Sequence, residues 1–200
     1  MKLKKIVSLA LAGILAVSML TACGDKGNAS STPAEEEVVV DTSIAGVLTD
    51  EVDEDLIKFS YDSNLQKNLD LAILVNGGAK DATDDQVKNS LLKILDVTDT
   101  QITDFYGYEG KGNGSKKGTQ TFTVVVKDTS SKTDKELMKT VEANLQNLDS
   151  LNEKYEAANA DYTYTYNSKV AMVKVEKDGI VYRFVVASID CVTDGVLTED

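Results

Sequence analysis

Tyr162, Tyr164 and Tyr166 recur at every second position, and no other stretch is better suited to grip a ligand. In an extended strand that period puts all three on one face, about 7 Å apart. A flat aromatic row of this kind stacks on sugar rings while its hydroxyls hydrogen-bond. The same alternation also suits a strand that packs its tyrosine rings under a helix and keeps the hydroxyls wet. A second candidate is the glycine-rich segment 110–118, where Lys111, Lys116 and Lys117 and successive backbone amides could hold a phosphate or carboxylate. It has neither Walker A nor Gly-x-Gly-x-x-Gly spacing, so it reads first as a solvated hairpin loop. Ser90 and Lys93 match Ser-x-x-Lys, but the companion Lys-Thr-Gly is absent and an ordinary helix face is expected. The acids around 50–55 lack the spacing of a calcium loop. Thirty-three carboxylates ensure some close pairs, and no motif singles one out for glycoside hydrolysis. Histidine is absent, which excludes histidine triads, Cys-His peptidases and His-rich zinc sites. No catalytic residue, metal or cofactor is therefore expected.

What positions these residues begins with location. Lys2, Lys4 and Lys5 precede a nearly unbroken apolar run from Ile6 to Leu20, and Leu20-Thr21-Ala22-Cys23 follows. This is the order of a signal peptide: charged start, apolar run, small residues at the cleavage point. The final four residues resemble a bacterial lipobox. The resemblance covers residues 1–23 and implies that Cys23 carries a thioether-linked diacylglycerol and becomes the N-terminus after cleavage. Two acyl chains give stable anchoring where one is marginal. The expected organisation is a leader over 1–22, a lipidated cysteine with an acidic flexible tether over 23–48, and one domain over 49–200. The protein then belongs on the extracytoplasmic side of the cell membrane, and no later run is long enough to span a bilayer.

Lys+Arg total 21 against 33 Asp+Glu, a net charge of −12. Nine acids and no lysine fall within 35–55, where self-repulsion extends the chain. There is no basic footprint for nucleic acid. The partners to expect are the membrane, through the lipid on Cys23, and either an envelope protein or wall glycan. Cys191 has no partner once Cys23 is lipidated, and it reads as a small buried hydrophobe.

The elements follow from periodicity and caps. A short helix is expected over Thr49–Phe59 and a second from a Ser63–Gln66 capping box to Gly77-Gly78, although Leu71–Val75 also suits a buried strand. Thr83–Gln86 opens a third helix, to about Leu95. Val38–Val40, Gln101–Tyr108 and Thr119–Lys127 are strand-like, the last with Phe122, Val124 and Val126 alternating against Thr121, Thr123 and Val125. Thr133–Glu136 opens the longest expected helix, about 133–158, with Leu137, Val141, Leu145, Leu148, Leu151 and Tyr155 along one stripe. Asp178-Gly179 predicts a type I′ hairpin whose partners pair Ala171 with Val186, Val173 with Phe184 and Val175 with Tyr182. The same register pairs Val170 with Ala187, Met172 with Val185, and Lys174 with Arg183. The two cations are expected toward solvent, eased by Glu176.

From about 85 to 190 this order of elements, with its Lys-Asp-Gly hairpin, resembles domains of unknown function on lipoproteins of clostridial-type bacteria. Such domains carry no established catalytic residues, so the resemblance implies none here. The expected fold is α+β: an antiparallel sheet of about four strands, one long helix packed on it, and N-terminal helices. The expected function is a non-catalytic binding module with an exposed apolar patch, followed by wall-glycan or small-solute binding through the tyrosine face, then a hydrolase.

Overall fold

A computed structural model describes residues 41–105, 118–157 and 160–197. Along them the chain forms α1 (Ile44–Val52), β1 (Phe59–Tyr61), α2 (Ser63–Val75), α3 (Asp84–Leu95), β2 (Gly118–Asp128), α4 (Asp134–Glu142), β3 (Lys154–Ala157), β4 (Ala160–Lys177) and β5 (Ile180–Leu197).

The hairpin of β4 and β5 is central. Asp178 and Gly179 both take positive φ, 55° and 73°, as a type I′ turn requires. The register is the expected one, with Ala171 opposite Val186, Met172 opposite Val185 and Lys174 opposite Arg183. The strands stand in the order β1-β4-β5-β2, with β3 also paired to β4. Strand period two then sorts the apolar residues. Val170, Met172, Val185, Ala187, Phe122 and Val124 face α1 and α4. Ala171, Val173, Val175, Phe184, Val186 and Val125 face α2 and α3. Both faces of the hairpin are therefore covered along its middle, which explains its double apolar pattern.

The fold class is α+β as expected, but the sheet is mixed: β1 runs parallel to β4. Its three residues are too short to show alternation, and no turn couples them to β4, so neither their existence nor their direction was visible in the sequence. Asp62 caps α2 one residue before the expected Ser63, accepting from the Asn64 and Leu65 amides. The capping boxes at Thr83–Gln86 and Thr133–Glu136 are both formed. The first helix lies earlier than expected, ending where Asp53 turns left-handed at φ 50°, and Phe59 belongs to β1. In place of a strand from Gln101, Ile102–Asp104 make a short 3-10 turn that buries Ile102 and Phe105.

The long helix is the main correction. α4 has nine residues and stops at Glu142. The Asn144 side chain donates to the Thr140 carbonyl, and Asn147 adopts φ 65°. Asparagine competes for helix carbonyls and tolerates the left-handed region, so these residues break the helix while its apolar stripe continues. Leu137, Val141, Leu145 and Leu148 are all buried, the last in a 3-10 turn, and Tyr155 lies in β3. From Leu137 to Leu148 the spacing gives burial correctly and helix continuity wrongly, and Leu151 is partly buried.

Arg183 also departs from expectation, since it points into the protein. β5 is an inner strand, and α4 covers this side of it. Asp128, at the end of β2, receives Arg183 Nη2 at 2.5 Å, while Nη1 reaches Asp134 at 3.3 Å and Nη2 also donates to the Ser130 carbonyl. Arg183 and Asp128 are each 7% exposed. Burial pushes the Asp128 carboxyl up, but the Ser130 hydroxyl and the Arg183 guanidinium outweigh it and hold the group below the usual carboxylate range. Removing one member of a buried pair strands the other, so Asp128→Ala should destabilise by about 3–5 kcal/mol in urea unfolding. A depressed carboxyl contributes fully above its unfolded pKa and loses that contribution as pH falls through its folded one. Stability should therefore drop below about pH 4, and Asp128→Asn should flatten that drop.

Candidate functional site

The tyrosine row occupies the even positions of β4, the face that also carries Val170 and Met172. The segment after α4 crosses this face. Tyr164 is 9% exposed and belongs to the core, and Tyr162 and Tyr166 are half-buried against it. The Tyr166 hydroxyl donates to the Asn152 carbonyl at 2.7 Å and accepts from the Asn152 amide at 3.2 Å. The Tyr164 amide donates to the Glu153 carbonyl at 3.0 Å. The Tyr166 hydroxyl and the Tyr164 backbone amide thus hold Asn152 and Glu153 against β4, and among the described residues no flat aromatic row faces solvent. Thr163, Thr165 and Asn167, on the opposite face, are the exposed residues of this stretch.

Cys23, Val38–Val40, Tyr108 and the lysine loop with Lys111, Lys116 and Lys117 lie outside the described residues. Cys191 is fully buried on β5. Burial pushes its thiol up to about 11, against a lowering hydrogen bond with Thr193. Ser90 accepts from the Asn76 side chain at 2.9 Å, a clasp between α2 and α3. Lys93 lines a shallow hollow of about 310 Å³ with Asn89, Leu92, Asp96, Val97 and Thr98. Among the described residues, no three His, Cys, Asp or Glu side chains are placed to hold a metal ion. None of the described helices is long and apolar enough to cross a membrane.

One surface feature stands out. α2 buries Leu65, Leu69, Ala72 and Ile73 on the sheet, yet Leu71, Leu74 and Val75 are 46%, 56% and 62% exposed. They sit at i, i+3 and i+4 and form one outward stripe. Ile180, 44% exposed, lies just past the hairpin turn, and a Lys80–Asp178 contact at 3.5 Å joins that turn to the α2–α3 connection. The signal was present in the sequence. Once the segment is helical, Leu71–Val75 holds more apolar side chains than one buried face can take.

The chain matches no family model, no curated protein and no solved structure.

Cys191 is too enclosed and too weakly acidic to react as a thiolate. Its labelling by a soluble disulfide reagent should follow global unfolding, with little reaction in native buffer and complete reaction in urea. Rapid native labelling would contradict its burial in the core.

Proposed function

We propose that this is a lipid-anchored module on the extracytoplasmic face of a cell membrane, held through Cys23, that acts by binding an envelope protein rather than by catalysis. The anchor rests on the cationic, apolar and small-residue order that ends in Leu20-Thr21-Ala22-Cys23. The observation that carries binding is the outward stripe Leu71, Leu74 and Val75 on α2. Leaving apolar surface in water costs roughly 25 cal/mol per Å². Contiguous exposed patches of this sort commonly mark interaction sites. The capped rigid helix beneath fixes their spacing, so a partner would meet three pre-ordered side chains with little entropy to lose. Burial of Tyr164 counts against the wall-glycan reading, because that reading needs the tyrosine rings at the surface.

The anchor is tested by metabolic labelling with a radioactive fatty acid. The wild type should incorporate label and sediment with membranes. Cys23→Ala should lose the label and the lipobox-directed cleavage, and equal labelling of both would end the lipoprotein reading.

The binding face is tested with a photo-crosslinking residue at Val75 and, as a control, at Thr165. Discrete adducts are expected from position 75 alone. Leu71→Asn combined with Leu74→Asp should remove them while changing stability by only about 0.5 kcal/mol, as exposed substitutions usually do. Adducts that survive this double change would place the contact elsewhere.

A further inference from the structure

Asn76 ends α2 and precedes Gly77. Its side-chain nitrogen donates to the Ala72 carbonyl at 2.7 Å, to Ser90 Oγ at 2.9 Å and to the Gln86 carbonyl at 3.3 Å. Two amide hydrogens thus serve three acceptors, one on α2 and two on α3. The turn beneath is closed by backbone bonds: Gly77 N–H donates to the Leu74 carbonyl at 3.2 Å and Gly78 N–H to the Ile73 carbonyl at 3.0 Å. Gly77 and Gly78 have φ of 93° and 84°, a left-handed exit that glycine adopts without strain.

An asparagine followed by glycine is chemically fragile, because glycine has no side chain to hinder its own nitrogen. The Gly77 nitrogen can attack Cγ of Asn76. A new N–Cγ bond forms, the Cγ–Nδ2 bond breaks, and Nδ2 leaves as ammonia with the proton from the Gly77 nitrogen. Water then opens the resulting succinimide at either carbonyl, leaving an aspartate or an isoaspartate. The balance needs only water, with no oxidant or reductant. The native arrangement obstructs both halves of this step. Three acceptors hold the leaving nitrogen, and the attacking nitrogen is tied to Leu74.

We propose that Asn76 is a spontaneous deamidation site gated by unwinding of the last turn of α2, and that its modification is a one-way release of α2 from α3. The product carboxylate has no hydrogen to donate to the Ala72 and Gln86 carbonyls, and only the Ser90 hydroxyl can still bond to it. Its charge also sits at the negative end of the α2 dipole, where it is unfavourable. Leu74 and Val75 belong to the turn that loosens. If the protein-binding reading of that stripe holds, partner capture declines with modification, but the chemistry at Asn76 stands without it.

The test incubates the full chain in mildly alkaline buffer, folded and in unfolding urea, and follows the gain of one mass unit in the peptide holding Asn76. The folded chain should convert at least about tenfold more slowly, as expected when reaction waits on local opening. Ser90→Ala, which removes one acceptor, should convert faster than wild type. Asn76→Asp should speed hydrogen exchange in the last turn of α2 and the first turns of α3. Equal conversion in folded and unfolded chains would overturn the gate. No conversion at Asn76 in urea would overturn the site. Wild-type exchange in Asn76→Asp would overturn the release. Partner crosslinking from Val75 is scored separately, so loss of the binding reading leaves this result readable.

Discussion

A hairpin with two apolar faces cannot stay in water, and that constraint organises the rest of the fold. Between Val170 and Val175 on β4, and Tyr182 and Ala187 on β5, nearly every side chain is buried on one face or the other. One helix layer covers only one face. The chain answers with α1 and α4 on one side and α2 and α3 on the other. Further from the turn the pattern changes. Tyr162, Tyr164 and Tyr166 still face the core while Thr163, Thr165 and Asn167 are exposed, so that end of the sheet is covered on one face alone.

Polar groups are arranged around the same constraint. Arg183 lies on a buried face, and it is tolerable there because two carboxylates and a carbonyl receive it. Asp99 plays a similar part further along β2, binding Lys88 of α3 at 2.7 Å while accepting the Thr123 amide at 2.8 Å. Asp190 accepts from Thr121 at 2.8 Å and meets Lys169 at 3.4 Å, spanning β2, β5 and β4. These pairs fix strand and helix positions. Their partners are protein groups on neighbouring elements.

How much of this the sequence revealed depended on the range of the interaction involved. The hairpin register was legible because a two-residue turn fixes every later pair, and capping boxes were legible because their partners lie three residues apart. The mixed sheet was not, because β1 joins β4 across more than a hundred residues and leaves no local trace. The stripe from Leu137 to Leu148 was legible as buried surface, but Asn144 and Asn147 ended the helix beneath it. The tyrosines show the limit most clearly. Period two placed all three on one face, and only the path of residues 148–153 decided that this face turns inward. The Leu71–Val75 run suits helix or strand by composition, and its helical form leaves apolar side chains over at the surface.

The fold depends on the doubly covered hairpin, and hydrogen exchange resolved by mass spectrometry tests that cover most directly. Protection should be greatest across 170–175 and 182–187, where both faces are covered. It should fall toward Thr163 and Thr165, and residues 143–153 should exchange quickly. A hairpin that exchanges readily on one face's worth of cover, with strong continuous protection from 133 to 158, would restore the single long helix and contradict the fold described.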